Sequence, residues 1–169
     1  MTPLQLAPLN PTHDRTAFNC GSQPLDRYLR EQVRQDMRRR VATCFVALED
    51  KRIAGYYTLA AASVALTDLP PDTGKKLPRY PTVPTVRMGR LAVDLAFKRQ
   101  GLGCALLADA LDRVIRSGIA AFALMVDAKD DSAAAFYRHH GFITLPESPS
   151  TLFLPLASAR PLVGTVALP

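Results

Sequence analysis

Apolar residues at Leu25, Tyr28, Leu29, Val33 and Met37 recur at helical spacing, and Arg27, Arg30, Arg34 and Arg38 fall between them. This predicts an amphipathic helix with a basic outer face, its first turn holding Pro24, where no backbone N–H is needed. Residues 42–48 (ATCFVAL) and 53–61 (IAGYYTLAA) are β-rich runs joined by the polar segment Glu49 to Arg52, the pattern of an antiparallel hairpin. Five prolines in residues 69–84 predict a loop, either substrate-facing or disordered because it exceeds the usual connection in a compact domain. Thr85 to Val93 reads as another strand. From Gly101 to Arg116 the apolar positions Leu102, Leu106, Leu107, Ala110, Leu111, Val114 and Ile115 share one side, and Gly118 follows, so a helix with a glycine stop is expected. Phe122 to Val126 reads as a buried strand. Asp130 or Asp131 can cap a short helix that runs through Phe136, Tyr137 and Arg138 to Gly141, with final strands at 142–145 and 151–156. The order of elements is that of an α/β fold with a mixed sheet.

Composition narrows the picture little: 169 residues, 48% apolar and 21% charged, fit one domain over 1–169, with residues 157–169 expected as a loose tail. Cys20, Cys44 and Cys104 lie far apart without metal-ligand spacing, so no disulfide framework and no metal are expected. No apolar run approaches the ~18 residues of a membrane span, and a cytoplasmic protein is expected. Charge changes the picture more. The net +6 comes from 16 Arg and 5 Lys against 12 Asp and 3 Glu, and it is concentrated in residues 27–40 and 75–99. Two Arg-rich segments suit a polyanionic ligand, because a guanidinium grips phosphate oxygens with a planar fork; a solvated face is the alternative.

The chemistry is concentrated in residues 90–107 (RLAVDLAFKRQGLGCALL), where a strand passes through a basic turn with two glycines into a helix. Backbone N–H groups and the positive helix end converge there, a combination that binds phosphate. A tight turn before a helix is the alternative. The segment resembles the acetyl-coenzyme A motif Q/R-x-x-G-x-G/A of the GNAT family of N-acetyltransferases: Gly101 and Gly103 match the glycines, and Lys98 stands in the Gln/Arg place. Residues 130–142 (DDSAAAFYRHHGF) resemble the second signature of that family, N-x-x-A-x-x-F-Y-x-x-x-G-F, with Asp130 in place of Asn. Within the family, Phe18–Leu29, Ile53–Leu59, Leu77–Arg79 and Arg90–Asp94 are similar to the acetyltransferase toxins of bacterial type II toxin-antitoxin modules.

The resemblance implies a GNAT fold, a mostly antiparallel sheet flanked by helices and splayed between its fourth and fifth strands. It also implies a set of roles. Main-chain groups of Leu91, Ala92 and Val93 would hold the pantetheine arm of acetyl-coenzyme A like an added strand. Lys98, Arg99, Gln100, Gly101, Leu102, Gly103, Cys104 and Ala105 would surround the pyrophosphate, and Asp130, Ala133 and Phe136 would add contacts. Tyr137 matches the tyrosine that protonates the departing thiolate; simple packing is its alternative role. The toxin resemblance further implies aminoacyl-tRNA as acceptor, a homodimer and a ribbon-helix-helix antitoxin. An N-acetyltransferase for a small amine or a protein N-terminus, and a non-catalytic acyl-coenzyme A or nucleic-acid binding module, are the other readings.

No carboxylate lies between Asp72 and Asp94, and Glu49 and Glu147 fall in expected turns, so the fourth strand offers no general base. That suits an α-amine, with a pKa of about 7.7–8.0, better than a lysine amine near 10.4. The neighbouring ester of aminoacyl-tRNA would lower the α-amine further. Arg34, Arg38, Arg39 and Arg40 on the first helix, with Lys75, Lys76, Arg79, Arg87 and Arg90, are the candidate tRNA contacts. His13, His139 and His140 are given no chemistry, Cys104 is expected to pack, and Asp94 and Asp127 are expected to form turns.

Overall fold

A computed structural model describes residues 3–159. Seven strands, β1 (Gln5–Pro8), β2 (Thr43–Glu49), β3 (Arg52–Ala65), β4 (Thr82–Val93), β5 (Ala123–Asp127), β6 (Ile143–Leu145) and β7 (Ser148–Pro155), form a sheet in the order β1-β2-β3-β4-β5-β7-β6. The pairs β1/β2, β2/β3, β5/β7 and β6/β7 are antiparallel and β4/β5 is parallel, the mixed, mostly antiparallel sheet expected. The helices are α1 (Gln23–Arg27), α2 (Val33–Arg38), α3 (Pro71–Gly74), α4 (Leu102–Arg116) and α5 (Asp131–His139). The β4/β5 ladder runs from Thr85↔Ala123 to Met88↔Val126, whereas β4 continues to Val93, in keeping with the expected splay. The chain sorts into two compact units, one of residues up to Ala60 with Gly89–Ala110, the other of Ala61–Met88 with the residues from Leu111 onward.

In the first unit the apolar stripe of the basic helix is buried as its spacing requires: Tyr28, Leu29 and Val33 join Phe18, Val46, Ile53, Tyr56 and Ala92 in one core, with Leu25 and Met37 packed against it. The helix is not α-helical throughout. Between α1 and α2, Tyr28–Gln32 forms a π-turn closed by the Val33 N–H on the Tyr28 carbonyl. Such a turn disturbs the regular ladder, and donors from distant segments fasten the helix before it and within it. The Tyr56 hydroxyl donates to the Leu25 carbonyl at 2.7 Å, and the Arg15 guanidinium donates to the carbonyls of Leu29 and Arg30 at 3.1 and 3.0 Å. Gly55 is required by close approach. A Cβ there would lie 2.8 Å from Leu106 Cδ1 and 3.0 Å from the Ala92 carbonyl oxygen.

Three expectations change at the element level. The strand β1 pairs with β2 from Gln5↔Leu48 to Pro8↔Phe45; its four residues end in proline and are too few to show alternation. Glu49 closes β2 opposite Arg52, so only Asp50 and Lys51 form the turn. The segment 69–84 is not one loop: α3 starts with proline in its first turn, Leu69 is buried, and β4 already begins at Thr82.

The second unit has its own core of Val64, Leu69, Val83, Ala123, Met125, Leu145 and Phe153. Asp130 caps α5 by accepting the Ala133 N–H at 2.8 Å, and Gly141, at φ +92°, turns the chain out of the helix so that Phe142 reaches the ring of Tyr137. Of the segment expected as a tail, residues 157–159 are helical and Ala159 is buried; residues 160–169 lie outside the described part.

Candidate active site

The turn that leads into α4 is held at its base by Asp94. This residue is 3% exposed; its carboxylate accepts the N–H groups of Asn19 (3.0 Å) and Ala96 (2.9 Å) and meets Arg52 at 3.5 Å. Its own N–H donates to the Ala54 carbonyl, so the end of β4 is tied to β3. Phe97 is buried beneath the Arg52 guanidinium, 5.1 Å from the ring centre. The chain then reverses through two left-handed positions, Arg99 at φ +65° and Gly101 at φ +77°.

Lys98, Arg99, Gln100 and Gly101 are exposed, and a Cβ placed on Gly101 would meet nothing within 4 Å. In the first turn of a helix the N–H groups have no intrahelical acceptor, which leaves those of Leu102, Gly103 and Cys104 as donors; the first bond of the turn runs from the Ala105 N–H to the Gly101 carbonyl. Open space over a bare glycine backbone, three helix-end donors and two exposed cations fit a pyrophosphate such as that of acetyl-coenzyme A. Cys104 is half-buried within this turn, and Leu102 is buried, so Leu102 contributes only its main chain. Along β4, Leu91 and Val93 are half-buried and Ala92 is in the core of the first unit.

In the second unit Tyr137 is 6% exposed, with the rings of Phe136 and Phe142 each 5.3 Å away. Burial, helped by the charge of Asp127, pushes its hydroxyl pKa up to about 12. Asp127 itself forms an ion pair with Arg87 and accepts the Thr151 hydroxyl at 3.0 Å. Phe136 is half-buried against His140, whose pKa is lowered by burial and by the neighbouring His139. Asp130 stands where the family signature has Asn, and either side chain can cap a helix. Here its carboxylate accepts the Ala133 N–H at the start of α5, the helix that carries Tyr137.

The residues expected to meet tRNA differ in kind. Arg34, Arg38, Arg39 and Arg40 are exposed at and after α2, and Arg40, at φ +60°, terminates that helix. Lys75, Lys76 and Arg79 are also exposed, Lys75 lying 3.4 Å from Asp72. Arg87 is paired with Asp127. Arg90 is not a free cation: its guanidinium carbon lies 3.5 Å from the centre of the Tyr28 ring, face-on stacking distance. The Tyr28 hydroxyl donates to Asp36 at 2.8 Å, and the Gln32 amide donates to the same carboxylate at 3.0 Å. These bonds, from Gln32 first and then Tyr28, hold the Asp36 pKa below its usual range. Burial raises that of Tyr28 far above the ordinary phenol. Tyr28, Gln32 and Asp36 are not among the site residues the sequence points to. Arg90 and Tyr28 are sixty-two positions apart, and no spacing rule joins a strand residue to a helix residue at that distance.

These features define an acetyltransferase, and the chain belongs to the GNAT family: the family described as Acetyltransferase (GNAT) domain matches residues 14–152. Among curated proteins the chain is similar to the tRNA-acetylating toxin of Mycobacterium tuberculosis (strain ATCC 25618 / H37Rv), 38% identical over 153 residues that cover 89% of this chain and 91% of the relative. Among solved structures it is similar to AtaT complexed with acetyl-methionyl-tRNAfMet (30% identity, TM-score 0.85, 94% of this chain and 98% of the other). It is also similar to a mutant AtaT toxin bound to the C-terminus of the antitoxin AtaR and acetyl-CoA (25% identity, TM-score 0.80, 96% and 99%). Among the described residues no helix is long and apolar enough to cross a membrane.

Proposed function

We propose that the protein is a toxin that transfers acetyl from acetyl-coenzyme A to the α-amino group of aminoacyl-tRNA and thereby blocks translation. The observation that carries this reading is the match, over nearly the whole chain, to a tRNA-acetylating toxin, joined to an exposed arginine cluster at 34–40 suited to phosphates. Acetyl-coenzyme A supplies the acyl group as a thioester. The main chain of Leu91, Ala92 and Val93 holds its extended arm, and residues 98–105 hold its pyrophosphate. Tyr137 keeps its proton throughout the neutral range and donates it to the thiolate that leaves. The acceptor attacks as its neutral α-amine, a substantial fraction of an ester-flanked amine at neutral pH, without a protein base, and the proton its nitrogen loses on becoming an amide passes through water and restores Tyr137. Arg34, Arg38, Arg39, Arg40, Lys75, Lys76 and Arg79 steer the acceptor stem. The protein acts in the cytoplasm as a single-domain homodimer neutralised by a ribbon-helix-helix antitoxin; the structure of AtaT with the C-terminus of AtaR supports a peptide-like antitoxin contact.

The test is transfer of labelled acetyl to total charged tRNA, with deacylated tRNA as control. Label is expected on charged tRNA alone. Labelling of small amines or protein N-termini in its place would contradict the reading, as would coenzyme A binding without turnover.

The pH dependence follows from the same groups. With Tyr137 displaced upward to about 12, kcat/KM is expected to rise with pH through the acceptor amine, about 7–8, and then stay level to about pH 10. Initial rates on a charged tRNA, timed ahead of ester hydrolysis, check this. A falling limb between about pH 8 and 10 would show that a group other than Tyr137 supplies the proton.

A further inference from the structure

A cavity of about 430 Å³ opens beside the π-turn, lined among others by Gln23, Leu25, Tyr28, Glu31, Gln32 and Arg90. Several of its lining groups are held in place. The Leu25 carbonyl is held by Tyr56, the Tyr28 ring by the bond of its hydroxyl to Asp36, and the Arg90 guanidinium by that ring. Gln32 commits an amide N–H to Asp36, which leaves its carbonyl oxygen as the acceptor of that side chain. Arg90 directly precedes Leu91, the first residue of the β4 segment to which the proposed function assigns the acyl arm, so one wall of the cavity adjoins that segment along the strand.

Resting on the function proposed above, we infer that this cavity takes the 3′-terminal adenosine of the charged tRNA, with the base stacked on Arg90. Two parts of an aminoacyl ester lie within reach of its amine, the amino-acid side chain and the terminal nucleoside. The lining favours the nucleoside. A guanidinium stacked on an aromatic ring presents a second planar face, and Arg planes are used to stack unpaired bases. Adenine offers an exocyclic amine and a ring acceptor side by side, which amides read in pairs; Gln23, Gln32 and the Glu31 carboxylate supply complementary groups. Only Leu25 and Pro24 are aliphatic, too little for a closed pocket around an apolar side chain. The base anchors the ester, and the ribose then sets the amine toward β4.

The test compares two acceptors that carry the same amino acid, its 3′-O-adenosine ester and its methyl ester, each with acetyl-coenzyme A. The wild-type protein is expected to prefer the adenosine ester in kcat/KM by about tenfold or more, chiefly through KM. Arg90→Lys keeps the charge and removes the planar face; Gln23→Ala removes an exposed amide and does not endanger folding. Both are expected to bring the ratio of the two esters toward one. A ratio that stays at the wild-type value in both variants overturns the inference, and so does a changed ranking among amino acids at an unchanged ratio, which would make this the side-chain pocket. A wild-type protein that acetylates charged tRNA but shows no preference for adenosine overturns this inference alone. One that acetylates no charged tRNA overturns the functional reading with it.

Discussion

Tyr137→Phe is expected to lower kcat by about 10²- to 10⁴-fold, the usual contribution of a positioned general acid, while acetyl-coenzyme A still binds. The exchange removes one oxygen and keeps the ring that packs on Phe136 and Phe142, so the helix it belongs to stays in place. The hydroxyl is a weak acid here because it is buried and faces the charge of Asp127. That arrangement disfavours free ionisation, so the hydroxyl keeps its proton and can hydrogen-bond to the sulfur as negative charge develops on it. Single-turnover rates together with calorimetric binding of acetyl-coenzyme A separate the two effects. A kcat within about threefold of the wild type would reduce Tyr137 to a packing residue.

The second large effect is electrostatic. Replacing Arg34, Arg38, Arg39 and Arg40 by Gln is expected to weaken tRNA binding by about a hundredfold or more at low salt. It should also flatten the dependence of log affinity on log salt by about 0.7–0.9 for each phosphate that these side chains neutralise. All four side chains are exposed, so the fold has little stake in them beyond the turn that Arg40 makes at φ +60°. Filter binding from low to physiological salt reads both quantities. An unchanged slope would mean that this cluster is a solvated face and that the acceptor stem is held by Lys75, Lys76 and Arg79.

Periodicity alone placed much of the fold. The stripe Tyr28, Leu29, Val33 and the positions Leu102, Leu106, Leu107, Ala110, Leu111 and Val114 are buried where a helical period puts them, although Ile115, expected on the same side, is exposed, and the hairpin of β2 and β3 pairs as its composition requires. The π-turn escaped because a periodic pattern carries no record of donors from elsewhere, such as Arg15 and Tyr56, that take up carbonyls of this helix. The strand β1 escaped for a related reason: it is strand only because β2 offers an edge. The turn 98–105 was readable because its requirements are local, a bare backbone at Gly101 and free N–H groups at a helix start. The partners of Arg90 were not readable. On a strand its side alternates predictably, but what waits on that side depends on how a helix sixty-two residues earlier is laid across the sheet.

Acetyl transfer from coenzyme A to the α-amine of charged tRNA is tested most directly by where the acetyl group ends. Charged tRNA incubated with acetyl-coenzyme A and the protein, then digested with nuclease and analysed by mass spectrometry, is expected to release N-acetyl-aminoacyl-adenosine, and the Tyr137→Phe protein is expected to release almost none. Acetyl found on a nucleobase, on a lysine side chain or on free amino acid, with the aminoacyl-adenosine left unmodified, would contradict the account.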